Sequence, residues 1–290
     1  MIIVIVGPTG VGKTKLSIEL AKKYNAEIIN FDSVQVYRKI DIASAKVTEE
    51  EKEGIKHHLI DIKDYDEEYS VYDFQIDSRK IIEKLQKENK NIILVGGTGL
   101  YVKACLYDYK FSKEEIKVNY DNLTDKELYN RIIKINKDIV VDKNNRRRLL
   151  RTLINLENDN ISNNGNDLLY NNTYFIGLTV PRDMLYERIN KRVDLMVKNG
   201  LLGEAKYFYN KNKDVKSLKT VIGYKELFRY FDNEISLNDA IDLIKKNSRH
   251  YAKRQYTFFN NKMNINWFNV DYDNFDNTVN EVINYIEKNI

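Results

Sequence analysis

Cysteine is almost absent from this chain. Cys105 is the single one in 290 residues, so no internal disulfide can form, and no metal-ligand spacing surrounds it. Long apolar runs are missing too: none approaches the roughly 20 residues that span a bilayer. The opening run Met1–Val6 is six residues long with no basic region before it, so a signal peptide is not expected. A cytoplasmic location with no membrane association is the resulting expectation. Proline occurs only twice against abundant Asn, Lys, Ile and Tyr, which reads as a compositional bias of the source.

Hydrophobic residues at 42% and charged residues at 31% describe a soluble globular protein, and 290 residues suffice for a full core with a smaller domain inserted. A net charge of +4 is too small to establish a polyanionic partner, although the cations are unevenly placed.

The chain is organised around its first strand and the glycine-rich loop that succeeds it. The apolar run ends in Gly7-Pro8-Thr9-Gly10-Val11-Gly12-Lys13-Thr14, which matches G-x-x-x-x-G-K-S/T, and a helical segment begins at once. Glycines let successive N–H groups point into one concavity, and the helix N-terminus adds partial positive charge, so the loop suits a diphosphate or the phosphates of ATP. Lys13 would place a point charge on phosphate oxygens, and the Thr14 hydroxyl would ligate Mg²⁺. Ser17, one turn on, is read as a solvated helix residue. The loop alone does not say which phosphorylated ligand it takes, and small-molecule kinases share it.

A second buried strand, Ala26–Phe31, leads into Asp32-Ser33-Val34-Gln35. Strand carboxyl ends carry the ligands in open α/β sheets, so Asp32 should share an edge with the P-loop, as a general base or as a group behind a metal-bound water. His57 and His58 are adjacent, with no His or Cys partner near, and are read as structural or as one polar substrate contact. Ser70 caps a helix running to about Lys87, with Asp73 at the capping-box position and Phe74, Ile81, Ile82 and Leu85 facing the core. A third strand, Ile92–Val95, runs into Gly96-Gly97-Thr98-Gly99. No acidic residue stands there, which argues against a nucleotide hydrolase, and the small residues suggest a ligand close to the backbone.

From residue 112 to 171 the chain turns helical, charged and asparagine-rich, reading as an insertion into a core formed by residues 1–111 and 172–290. Arg147, Arg148 and Arg151 form either a solvated helix face or a phosphate-binding one. A core strand returns at Thr173–Thr179, and the next helix carries Arg188 and Arg192 one turn apart. A basic helix comes at residues 245–255, where Arg249, Lys253 and Arg254 alternate with Tyr251 and further aromatics, a face that suits a nucleic-acid backbone or a core.

The strings GPTGVGKT at 7–14, DSVQVY at 32–37, HHLIDI at 57–62, YSVYDF at 69–74, GGTGLY at 96–101, NNRRRLLRTL at 144–153, LTVPRDMLYERI at 178–189, IGYKE at 222–226 and SRHYAKRQ at 248–255 stand in one order. Together they resemble the bacterial tRNA dimethylallyltransferase family over nearly the whole chain. Ser44-Ala45-Lys46-Val47 departs from the family's usual G-T-A/G-K-P. The resemblance implies a P-loop NTPase-like α/β fold, a parallel sheet flanked by helices, with a helical tRNA-binding insertion. It implies transfer of a dimethylallyl group from dimethylallyl diphosphate to N6 of the adenosine 3′ of the anticodon, in tRNAs reading codons that begin with U. Thr9, Lys13, Thr14 and Asp32 would be catalytic, with Asp32 as general base and Mg²⁺ on Thr14. Asp32, Ser33, Val34, Gln35, Thr98, Arg148, Arg151, Arg249 and Arg254 would contact the tRNA anticodon stem-loop. A monomer is expected.

Overall fold

The computed structural model describes residues 1–111, 120, 122–157 and 166–290. Six strands form one sheet among these residues: β1 (Ile2–Val6), β2 (Ala26–Asn30), β3 (His57–His58), β4 (Asn91–Val95), β5 (Thr173–Thr179) and β6 (Asn266–Asn269). Their order is β3-β2-β4-β1-β5-β6, and every pairing is parallel. An all-parallel sheet has helices on both faces, which is why β1 reads as an unbroken apolar run with all five residues buried. The α/β fold expected from the sequence is therefore the fold observed. β6 was not foreseen, because Asn266-Trp267-Phe268-Asn269 mixes polar ends with two aromatics.

Strand order decides what is near what. β1 lies between β4 and β5, and β2 lies beyond β4. The segments leaving the carboxyl ends of β1, β4 and β2 therefore lie side by side: the P-loop, Gly96–Thr98 and Asp32–Gln35.

Local signals account for most helix starts. Ser70 and Asp73 form the expected capping box for the helix Val71–Lys87, which buries Phe74, Ile82 and Leu85, with Ile81 half-buried at the edge. The helix Arg182–Lys198 begins after Pro181 and buries Leu185, Ile189 and Val193. The basic run at 245–255 belongs to a longer helix, Leu237–Lys262, started by a capping box of Ser236 and Asp239. None of the described helices is long and apolar enough to cross a membrane.

The chain divides into two compact units, Met1–Cys105 with Tyr170–Ile290, and Leu106–Leu169. The sequence reading places the same limits at 112 and 171. Within the smaller unit the chain enters and leaves through an antiparallel bridge between Tyr107 and Leu168, and the Leu169 N–H donates to the Leu106 carbonyl at 2.8 Å. Its helices Asp125–Ile135 and Arg146–Glu157 enclose Tyr120, Leu128, Ile132, Leu149 and Leu153. Arg146 is structural, donating to the Leu123 and Tyr120 carbonyls and to Asp125, whereas Arg147, Arg148 and Arg151 are exposed. Residues 112–119, 121 and 158–165 of the asparagine-rich segment lie outside the described residues.

Both of the paired histidines at the sheet edge have protein partners. His58 Nε2 lies 2.6 Å from Glu27 on β2, and His57 Nδ1 lies 2.8 Å from the Ile55 carbonyl. Glu27 is 10% exposed and also receives Lys90, with Lys56 at 3.5 Å. Burial pushes its carboxyl up, yet the hydrogen bonds from Lys90 and His58 prevail and hold it down at about 2. A carboxyl depressed on folding stabilises above its ordinary value and stops doing so as pH falls towards the folded one. Glu27→Gln should therefore cost on the order of 2–3 kcal/mol in chemical denaturation at pH 7. It should also flatten the loss of stability that the parent shows between about pH 4.5 and 2; an unchanged acid profile would show that Glu27 is not the group responsible.

Candidate active site

The P-loop comes directly after β1. Gly7, Gly10 and Gly12 all adopt positive φ, at 141°, 80° and 100°, and a Cβ on Gly7 would stand 2.7 Å from the Leu178 carbonyl oxygen, so that turn demands glycine. The helix Lys13–Tyr24 starts at Gly12. Lys13 folds back and donates to the carbonyls of Gly7 at 3.0 Å and Pro8 at 2.8 Å. By surface area it is half-buried, but its ammonium is enclosed. That burial lowers its pKa to about 7, with the Arg192 guanidinium adding to the effect and the Asp32 carboxylate opposing it. Ser17 is fully buried, not solvated as its helix position suggested: its hydroxyl donates to the Thr14 carbonyl at 2.7 Å.

At the end of β2 the chain wraps around Asp32. One carboxylate oxygen, Oδ1, accepts the N–H of Val34 at 2.8 Å and of Gln35 at 3.4 Å, and among the described residues nothing donates to Oδ2. Thr98, at the end of β4, accepts the Ser33 N–H at 3.1 Å and donates to its hydroxyl at 3.3 Å. The Gln35 amide reaches across to the carbonyls of Ser44 and Ala45, each at 3.2 Å.

Gln255 is the residue that sequence reasoning missed. It is 5% exposed, accepts the Thr9 N–H at 3.1 Å and donates to the Gly97 carbonyl at 3.1 Å, tying the P-loop to the end of β4. As the last letter of a basic string it looked like part of a cationic face; only its uncharged amide distinguished it. The glycines after β4 also make room for protein side chains: a Cβ at Gly96, Gly97 or Gly99 would collide with Phe31, Gln255 or Phe258, while the backbone of Gly96 and Gly97 lines a cavity beside the P-loop.

Two adjoining cavities result. One, of about 300 Å³, is lined by the P-loop together with Ser17, Asn30, Gln35, His57 and Arg188. The other, of about 260 Å³, has an apolar wall of Ile189, Val193, Met196, Leu201, Val221 and Ile222 facing polar groups that include Ser33, Ser248, Lys225 and Arg254. Thr9, Asp32, Ser44, Arg192 and Tyr251 line both. The structure thus brings together Thr9, Lys13, Thr14, Asp32, Ser33, Val34, Gln35 and Arg254, with Thr98 hydrogen-bonded to Ser33. It does not bring Arg249 in: that guanidinium donates to Asn190 at 2.6 Å and lines neither cavity. Arg148 and Arg151 belong to the smaller unit. Arg188 is not a free solvated cation, since its guanidinium lies 3.6 Å from the Tyr272 ring centroid and donates to the Gly10 carbonyl at 3.4 Å.

A parallel sheet with a glycine loop, an enclosed lysine and a carboxylate between two cavities defines a protein of the P-loop class. A sequence model described as IPP transferase matches residues 35–262. The chain is 44% identical over 302 residues to a tRNA dimethylallyltransferase of Macrococcus caseolyticus, covering 100% of this chain and 96% of that protein. Its structure superposes with TM-score 0.77 and 42% identity on the full-length tRNA isopentenylpyrophosphate transferase of Bacillus halodurans, over 99% of this chain and 95% of that one. A eukaryotic dimethylallyltransferase captured acting on tRNA superposes with TM-score 0.83 and 31% identity, over 97% of this chain and 77% of that one. The protein belongs to the tRNA dimethylallyltransferase family, the IPP transferases.

Lys13 generates a pH test. Above its value of about 7 in the free site the ammonium loses its proton, and a bound phosphate would have to restore it. The dissociation constant of a diphosphate ester should be nearly flat below pH 7 and rise about fivefold between pH 7 and 8. Lys13→Ala should bind at least about tenfold more weakly at pH 7 and lose that pH dependence; calorimetric titration across the range reads both.

Proposed function

We propose that the protein transfers a dimethylallyl group from dimethylallyl diphosphate to N6 of the adenosine 3′ of the anticodon, in tRNAs reading codons that begin with U, releasing diphosphate. The observation that carries this reading is that Asp32 lines both cavities, one holding the P-loop and the other combining an apolar wall with cations and hydroxyls. A phosphate donor and a base-bearing acceptor can therefore meet at one carboxylate.

The chain's residues account for each part. The loop N–H groups and Lys13 take the diphosphate and balance the charge that grows on it as the C1–O bond breaks. N6 attacks C1, and Asp32 takes the N6 proton through Oδ2, while Oδ1 is held by backbone N–H groups. An aromatic amine is a weak nucleophile, so holding N6 against C1 supplies much of the rate. Arg192, lining both cavities, is placed to face the phosphates. The target adenosine must leave the loop's stack to enter so enclosed a site. Ser33, Val34, Gln35, Thr98 and Arg254 contact the anticodon loop in this reading, and Arg148, Arg151 and Arg249 hold RNA backbone further out.

The donor set fits Mg²⁺. The Thr14 hydroxyl, the Asn30 amide and Asp32 offer hard oxygens in one cavity, and no cluster of three or more metal-ligating His, Cys, Asp or Glu occurs among the described residues. Thr14 would hold the ion together with diphosphate oxygens and water, and bound there it would neutralise leaving-group charge. A cytoplasmic monomer is part of the same proposal.

The test is incubation with labelled dimethylallyl diphosphate, Mg²⁺ and an unmodified stem-loop whose anticodon ends in A and is succeeded by A, with mass spectrometry of the digested nucleosides. A five-carbon adduct on adenosine is expected; ATP consumption on a small molecule with no adduct would return the loop to the kinases. Asp32→Ala should lower the transfer rate by at least about a hundredfold while stem-loop affinity stays within about threefold. Weak RNA binding with an intact single-turnover rate would remove Asp32 as the base.

A further inference from the structure

The segment 41–46 belongs to no strand or helix, yet it walls the site. Ala43 and Ser44 line the cavity with the apolar wall, and Ser44 and Ala45 line the P-loop cavity. Its own bonds are those of a tight turn: the Ala45 N–H donates to the Ile42 carbonyl at 3.0 Å, and Ala45 sits at φ 44°. Lys46 closes one end on the Tyr37 carbonyl, Asp41 and Asp61, with its side chain 6% exposed.

The other clamp comes from far along the chain. Glu204, on the helix Leu201–Asn212, accepts three successive backbone N–H groups, from Asp41 at 2.9 Å, Ile42 at 2.7 Å and Ala43 at 3.0 Å. The buried Tyr224 donates its hydroxyl to the same carboxylate at 2.7 Å. Consecutive amides converging on one anion form a charge-assisted nest, stronger than neutral contacts and specific in geometry. The wall that this carboxylate holds is linked to the site: Ser44 and Ala45 present their carbonyls to the Gln35 amide, and the Gln35 N–H donates to Asp32 Oδ1.

We infer that Glu204 is a positioning residue for the acceptor, acting through the 41–45 wall and Gln35 to set the adenosine against Asp32. The inference rests on the transfer activity proposed above. It concerns the acceptor because the hydrogen-bonded link from Glu204 runs through the 41–45 wall and Gln35 to Asp32, whereas Glu204 bonds to no P-loop group. In a glutamine at this position one of the two oxygens becomes an NH₂, which in either orientation would face at least one backbone N–H instead of accepting from it.

The experiment compares the parent, Glu204→Gln and Tyr224→Phe, varying stem-loop RNA and dimethylallyl diphosphate separately. E204Q should lower kcat/KM for the RNA by about tenfold or more, while calorimetric affinity for the donor stays within about twofold. Y224F, which removes one partner of the same carboxylate but leaves the nest, should lower the melting temperature. It should nonetheless keep kcat/KM for the RNA within about threefold. Intact donor binding reports that E204Q is folded. Equal losses for RNA and donor, or equal kinetic losses in both variants, would make Glu204 merely structural and overturn the inference. Parent protein that forms no adduct would instead overturn the transfer reading, and this inference with it.

Discussion

The parallel pairing of β1 with β4 along one edge and β5 along the other fixes the geometry on which the site depends. Main-chain registers such as Ile5 with Val95 and Ile5 with Ile176 bring three strands to the same level, so the loops beyond them open in the same direction. All five side chains of β1 are buried between the two faces of the sheet, as its unbroken apolar run requires. The P-loop is thereby held rigid at its entry, and its glycines turn without touching the Leu178 carbonyl.

Within that frame the site keeps charge in a confined volume. Burial lowers the pKa of both Lys13 and Arg192; the Arg192 guanidinium lowers Lys13 further, and the Asp32 carboxylate opposes the shift in each. Two cations with one carboxylate leave the free site wanting an anion, a condition suited to a ligand carrying several negative charges. Lys13 meanwhile rests on the carbonyls of its own loop, so the donor atoms stay ordered before any ligand arrives. Preorganisation of this kind removes reorganisation from the reaction step.

Neutral groups knit the loops together as firmly as the charged ones. Gln255 joins the P-loop to the end of β4, Thr98 joins β4 to the Asp32 turn, and Gln35 joins that turn to the 41–45 segment. Each such bond is worth about 1 kcal/mol net, but leaving a buried partner unsatisfied costs more, which makes the set cooperative.

Residues whose role is set by their immediate neighbours were legible without a structure. The apolar runs of β1, β2, β4 and β5, the P-loop, the Ser70 capping box and the placement of Asp32 at a strand end all arise from short-range pattern, because backbone sterics and strand burial act over a few residues. Ser17, Gln255, Glu204 and the collisions waiting at Gly96, Gly97 and Gly99 were decided only by tertiary structure. Their partners lie on other elements, and Glu204 meets Asp41 across 163 residues of chain. A polar side chain carries no local mark of which distant amide it will satisfy; that is settled when the helices dock on the sheet and every buried N–H must find an acceptor.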